Sequence, residues 1–457
     1  MPTLQSQRFY FSLLICFLVL HAFPQRVLAD GFRVLDQSAA ATGQGTAVSA
    51  QADDAAAVHY NPAGLTQLKG IHLSTGTLII GGHTTFKSDS GASVRGDLGK
   101  GFANPPPSTF FLTADLPSLG FSQLSNWRIG FGLNSPFALE ANYPDNSAIS
   151  PVTTSAAIPL LNLKPTLAYK VNTYVSIGAG LDIYTFSSLV GEGHAEIRQT
   201  AAPGNAFGIQ PGTSIEVNGK DTALGFNASL LWTPLRNADD QPLINFGFVY
   251  RHGVDLNLKG DFIVGGSKLA TAKSTLELPN VYTWAVAGWP IRNSAREWKV
   301  EVDVEFADWS DFENLDVQLS NGATILQPRD RGDAWIIMVG TEYTEMSPAF
   351  LPDWDISLRG GYVRSGTPVP TRTADPSNPD SIFNAFSVGL GFHCHGSGKF
   401  LGFIPCTALG TKSLGLDLAY QAVLYQARGV NNNQQPILNG EWDTIFKVGA
   451  ISLNAEF

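Results

Sequence analysis

"REWKVEVDVEFADW", residues 296–309, alternates almost without a break. Trp298, Val300, Val302, Val304 and Phe306 share one parity; Lys299, Glu301, Asp303 and Glu305 share the other. Successive side chains of a strand point to opposite faces, so this segment has one apolar face and one charged face. In a soluble sandwich the apolar face would meet the core and the charges would meet water. In a barrel that spans a membrane the apolar face would meet lipid and the charges would point into the lumen. One strand does not choose between them, so the rest of the chain must.

The N-terminus reads as a secretory signal over residues 1–29. Arg8 precedes an apolar run from Phe9 to about Ala22, and Val27-Leu28-Ala29 offers a small-residue cleavage site before Asp30. The run falls short of the roughly 20 residues that a membrane helix needs. Bulky Ile15 before Cys16, inside that run, argues against lipidation. No later stretch approaches 18 consecutive apolar residues, so no transmembrane helix is expected. Without the signal's two arginines the chain carries 27 basic and 39 acidic residues, a net charge of −12. That balance argues against nucleic acid as a partner. Abundant Gly and sparse Met and charge suit a β-rich protein without establishing one.

Past the signal two cysteines remain, Cys394 and Cys406. Outside the cytoplasm a local disulfide is the leading reading. His393 and His395 flank Cys394, but adjacent Cys and His match no standard zinc spacing, so no metal is expected. No other cofactor is indicated.

Alternating runs bounded by Gly, Pro, Asn, Asp and Ser predict about fourteen strands. They lie near 71–81, 108–115, 127–134, 161–170, 173–185, 222–233, 243–254, 279–289, 297–306, 333–344, 354–364, 383–393, 413–427 and 443–457. Odd connections are long, such as 186–221 and 307–332, and even ones are mostly short. That asymmetry fits a transmembrane barrel, and an even count returns both ends to the periplasm. The longest even connection, 394–412, contains the cysteine pair. Elsewhere the faces repeat the opening pattern: Val175, Ile177, Leu181 and Ile183 oppose Ser176, Gly178, Gly180 and Asp182. Trp232, Trp289, Trp298, Trp309, Trp335, Trp354 and Trp442 fall near strand ends, as interfacial girdles require. A large secreted β-sandwich remains the alternative. Energetics favours the barrel with the charges inward. A Lys or Arg facing lipid at the midplane costs roughly 2–4 kcal/mol, against a folding margin of about 5–15 kcal/mol.

Residues 30–70 do not alternate. They are rich in Ala, Gly, Ser and Thr, and read either as a disordered leader or as a plug in the lumen. Here a resemblance becomes specific. "GTAVSAQADDAAAVHYNPAGL" resembles the N-terminal hatch of the FadL/TodX family of outer-membrane long-chain fatty-acid and hydrocarbon transporters. The likeness continues through "GFGLNSPFAL", "LKPTLAYKVNTYVSIGAGL", "FGFVYRHGVDLNLKG", "VEVDVEFADWSDFENL" and "NPDSIFNAFSVGLGF". The closing "FKVGAISLNAEF", with its terminal aromatic, resembles the last strand of bacterial outer-membrane barrels.

The resemblance implies an all-β, 14-stranded antiparallel barrel over 71–457, plugged by a hatch over 30–70. It implies a non-enzymatic, passive route for hydrophobic molecules, with long-chain fatty acids first and aromatic or other hydrocarbons as the alternative. Outer-membrane lipid and the barrel assembly machinery are the expected partners, and a monomer is the expected state. It also implies lateral release through a kink in the third strand, where Gly130, Gly132 and Pro136 are candidates; Pro165 is a second strand proline. Phe32 matches the family's hatch tip near ligand. Asn61, Pro62 and Ala63 are assigned to hatch structure and gating.

By parity, Lys164, Arg251 and Arg359 face the lumen and could hold a carboxylate, or instead pair with Glu301, Asp303, Asp355 or hatch acids. Ile336 and Met338, if inward, line the conduit. If none of the three cations meets ligand, a neutral hydrocarbon becomes the better substrate. A general porin, which a hatch forbids, and a structural surface protein are the remaining classes. No catalytic constellation is legible, and the Gly-rich triplets inside strands cannot be phosphate loops.

Overall fold

The computed structural model describes residues 31–457, apart from the side chain of Lys100. The signal assigned to residues 1–29 lies outside the described residues. The opening stretch forms one strand, Arg296–Asp308, with Lys299, Glu301, Asp303 and Glu305 buried on its inner face. Its apolar parity faces outward.

Fourteen wall strands are found among the described residues. They are β1 (Ile71–Ser88), β2 (Ser108–Asp115), β3 (Trp127–Asn134), β4 (Ser155–Lys170), β5 (Val175–Phe186), β6 (Thr222–Arg236) and β7 (Pro242–Arg251). The others are β8 (Asn280–Arg292), β9 (Arg296–Asp308), β10 (Ala334–Met346), β11 (Trp354–Ser365), β12 (Phe383–His395), β13 (Ser413–Tyr425) and β14 (Gly440–Glu456). Each pairs antiparallel with the next. The last pairs with the first from His72↔Glu456 to Ser88↔Gly440, closing the ring. Closure leaves no edge strand, as a wall surrounded by hydrocarbon requires. Among the described residues no helix is long and apolar enough to cross a membrane.

The outer surface is apolar and aromatic. Tyr250 and Tyr282 lie 5.0 Å apart, Phe306 and Trp335 4.9 Å, and Trp232 and Phe246 5.1 Å, on neighbouring strands. The girdle expectation needs correction at three tryptophans. Trp289, Trp309 and Trp442 are buried. Trp289 shares the inward parity of Ala285 and Ala287, while Trp442 stacks on Phe86. Proximity to a strand end did not reveal which face each ring takes.

Several long connections also carry strands that the periodicity reading took as loop. Val254–Val264 and Ser267–Leu278 form a hairpin, turned by Gly265 and Gly266 at positive φ. Ser93–Phe102, Ala138–Asn142, Ala195–Thr200 and Ser214–Gly219 extend the wall at the same end. At the opposite end Cys394 and Cys406 are joined in a disulfide.

Residues 31–70 fold inside the ring. Ser38 caps a short helix, Ala39–Gly43; a second helix spans Ala57–Tyr60, and Asn61 caps a 3-10 turn, Pro62–Gln67. Wall glycines admit this backbone. A Cβ on Gly361 would lie 2.1 Å from Gly45 N, and one on Gly178 would lie 2.4 Å from Ala63 N.

The inward charges of β9 find their partners here. The N–H groups of Ala50 and Gln51 donate to the Glu301 carboxylate at 2.6 and 3.1 Å, and Ser49 N–H donates to Asp303 at 3.1 Å. Lys299 Nζ donates to Ala47 O at 3.1 Å and to Glu301 at 3.0 Å, and Arg33 reaches Glu305 at 2.6 Å. Glu301→Ala would strand Lys299 and two peptide N–H groups, a loss of about 3–5 kcal/mol if it behaves like other broken buried pairs. The expected result is lower resistance to denaturant and protease cleavage within residues 31–70, read by gel shift and mass spectrometry.

Candidate substrate cavity

The wall is interrupted between β1 and β4. Above Gly81, β1 pairs with Ser93–Phe102 rather than with β2, and above Asn134, β4 pairs with Ala138–Asn142 rather than with β3. Those two short strands share a single partner pair, Asp97↔Asn142. Residues 103–107 and 135–137 therefore cross the wall without a continuous ladder. Pro105, Pro107 and Pro136 lack the N–H groups that a ladder would need.

The first residues of the N-terminal segment bond to this gap. Val34 N–H donates to Pro136 O at 2.9 Å, Ala138 N–H donates to Phe32 O at 3.1 Å, and Arg33 bridges Phe137. Asn134 Nδ2 donates to Gln37 Oε1 at 3.0 Å.

A cavity of about 390 Å³ opens behind the interruption. Its apolar lining comes from Phe32, Val34 and Leu35, from Leu139 and Ile158, and from inward residues of β11–β14 including Val363, Phe383, Val423, Phe446 and Val448. Ala103, Asn104, Pro105, Pro107, Ser135 and Ala138, all at the wall gap, also line it. Phe32 lies 6.0 Å from Phe137 and 5.0 Å from Trp309, edge to face.

The polar lining is acidic. Asp36, Glu140, Glu192 and Glu196 line the cavity, whereas Arg33 and His194 are the basic side chains found there among the described residues. Arg33 is held by Glu305. Burial pushes Asp36 up to about 6 and raises Glu140 and Glu196 above the usual carboxylate range. Glu192, His194 and Glu196 place their ligating atoms within 4.8 Å of one another. The Arg198 guanidinium sits on that group, 2.8 Å from Glu196 and 3.8 Å from Glu192, and supplies its positive charge.

The three lumenal cations named from parity lie elsewhere. Lys164 is fully buried and ion-paired with Asp182, which also accepts from Asn162 at 2.7 Å and from Asn227 at 2.8 Å. Arg359 pairs with Glu342 and, at 2.5 Å, with Asp417. It borders a separate polar chamber of about 290 Å³ that also holds Asp53, Asp54 and His393. Arg251 donates to His59 O at 2.9 Å. Ile336 and Met338 are buried against Ala39 and Val363, and Thr46 Oγ1 lies 3.1 Å from the Met338 sulfur.

Asn61 Nδ2 donates to Ser49 O at 2.7 Å and to Leu230 O at 3.3 Å, while Ala63 N–H donates to Ser229 Oγ at 2.9 Å. Pro62 opens the 3-10 turn. Gly130 and Gly132 lie in the paired part of β3, where an added Cβ would meet Val58 at 2.7 and 3.0 Å. Pro136 lies in the gap itself. Parity could have pointed to Val423, Phe446 and Val448, which are inward apolar exceptions. Nothing local marked Glu140, Phe137 or His194.

The profile of the outer membrane protein transport protein family (OMPP1/FadL/TodX) matches residues 21–401. The chain belongs to this family. The long-chain fatty acid transport protein of Escherichia coli K12 is 25% identical over 390 residues, covering 77% of this chain and 81% of the relative. That of Salmonella typhi is 24% identical, covering 77% and 81%. A Pseudomonas aeruginosa FadL homologue superposes with a TM-score of 0.73 at 17% identity, over 94% of this chain and all of that one. The Pseudomonas putida toluene transporter TodX gives 0.56 at 17% identity, over 94% and 99%. The protein is thus an outer-membrane β-barrel and a transporter of hydrophobic molecules.

Their pairings make Lys164 and Asp182 a structural couple. Lys164→Met alone should cost about 3–5 kcal/mol by stranding a buried carboxylate, and adding Asp182→Asn should recover most of it. Thermal unfolding of the two variants checks this, and the folded double variant should keep the heat-modifiable gel mobility of the parent.

Proposed function

We propose that the protein is a passive channel for molecules that are uncharged when they occupy the cavity: hydrocarbons, and fatty acids in their protonated form. The observation that carries this reading is an apolar cavity that meets the wall interruption and bears an acidic polar lining. A carboxylate brought there loses hydration and faces like charges, and both effects favour its neutral form. The names of the Escherichia coli and Salmonella relatives support fatty acids as cargo, and the name of TodX supports toluene-like molecules.

Residues 31–70 act as the hatch in this reading. Phe32 and Val34 close the gap by hydrogen-bonding to residues 136–138, and cargo displaces them. Cargo then leaves sideways between residues 103–107 and 135–137, without crossing the polar chamber below. Asn61, Pro62 and Ala63 seat the hatch against β6, and Gly130 and Gly132 let Val58 approach the wall. No energy-coupling step is needed, because partitioning into lipid drives release.

The test is uptake of labelled toluene and oleate by a strain lacking its own channel, with and without this gene, across pH. Toluene uptake should be gene-dependent and flat. Gene-dependent oleate uptake should rise as pH falls, because the acid then enters neutral and Asp36 loses its charge near its pKa of about 6. Oleate uptake that rises with pH would overturn the charge-selective part; no gene-dependent uptake of either compound would overturn the transport reading.

A further inference from the structure

The connection between β12 and β13, residues 396–412, takes no part in the cavity or the hatch. It reads GSGKFLGFIPCTALGTK, with two lysines and no acid. It does not hang away from the barrel. A short hairpin, Lys399–Phe400 with Ile404–Pro405, packs Phe400 and Ile404 against Trp354, Leu414 and Leu416. Those three residues belong to the outward parity of β11 and β13. Cys394, outward on β12, is bonded to Cys406 and pins the turn to the outside of the wall. Seen from outside, the turn presents Leu401, Phe403 and Leu409 at 60%, 72% and 96% exposure.

We propose that this turn is a lipid-seated foot, with these three side chains embedded in the phospholipid leaflet on the periplasmic side. Two observations select lipid as the occupant. The patch continues the hydrocarbon-facing surface of the same strands, where Leu390 and Leu418 are exposed. Lys399 borders it, and a long ammonium-bearing stem can reach an anionic headgroup while its methylenes stay in apolar surroundings. Lys412, at the other end, is tied to the end of the wall instead, its Nζ 2.6 Å from Phe457 O and 3.9 Å from Glu456. The disulfide fixes the depth of the foot by joining it to a wall residue.

The test uses the full-length protein in phosphatidylethanolamine–phosphatidylglycerol vesicles, with nitroxide labels at Phe403→Cys and Leu409→Cys. No other cysteine follows residue 16 apart from the bonded pair, so each label is unique once the signal is removed. Heat-modified gel mobility confirms that each barrel is folded. The ratio of oxygen to nickel-chelate accessibility should be several-fold above that of Asp239→Cys in the exposed β6–β7 turn, and close to that of Leu418→Cys on the wall. A ratio equal to the Asp239 control at both positions overturns the proposal. So does protection from both reagents at both positions, which would place the patch against protein instead of lipid.

Discussion

Three of the four charges on one face of β9 meet backbone groups of the N-terminal segment rather than bulk water, and much of the interior follows from that. Glu301 and Asp303 accept from the peptide N–H groups of Ser49, Ala50 and Gln51, and Lys299 donates to a peptide carbonyl. Backbone groups can serve buried charges only if the chain comes close, and bulky side chains would hold it away. The Ala- and Gly-rich composition of residues 39–64 and the bare glycines of β5 and β11 are two sides of one steric condition. Charge on the wall and small residues in the segment therefore require each other. Farther along the same face, Glu305 holds Arg33 beside the apolar cavity, so β9 anchors both the body of the segment and its tip.

The lumen is divided by polarity. Apolar inward residues of β11–β14 line the cavity, whereas Arg359, Glu342 and Asp417 line the chamber below. On the proposed route, hydrophobic cargo in the first meets an ion-paired barrier towards the second. On that proposed route the wall interruption offers lower resistance, because two short stretches with four prolines cannot complete a ladder there. The N-terminal segment covers that defect with two backbone hydrogen bonds, a modest closure beside the many contacts that seat residues 44–68.

Every wall strand was visible as an alternating run, because a wall with different surroundings on its two sides imposes a period of two on each strand. The strands beyond the wall were harder to see. Val254–Val264 alternates too, with Val254, Leu256 and Leu258 buried, but that face joins the cluster around Phe32, Phe137 and Trp309 beyond the lipid-facing part of the wall. The tryptophans show the limit of position without parity: Trp289 and Trp335 both lie near strand ends, yet one ring is buried and the other faces out. For the cavity, Phe32 was reached through the family resemblance. The acidic rim was not, since Glu140 and Glu196 come from different connections that only folding brings together.

The sequence by itself determined the two-faced alternation of the wall strands, how many of them form the ring, and that charge inside it needs partners. Those are consequences of local alternation and of the cost of placing ions in hydrocarbon, and neither depends on distant contacts. Tertiary structure decided which cations are free to meet cargo. Lys164, Arg251 and Arg359 have the right parity, but Asp182 and Asp417 pair with the first and last, 18 and 58 residues away, and Arg251 turns to the His59 carbonyl, 192 residues away, outside the cavity. It also decided where the wall opens, because an interruption is defined by which neighbour each strand loses, and pairing is a property of two segments rather than one.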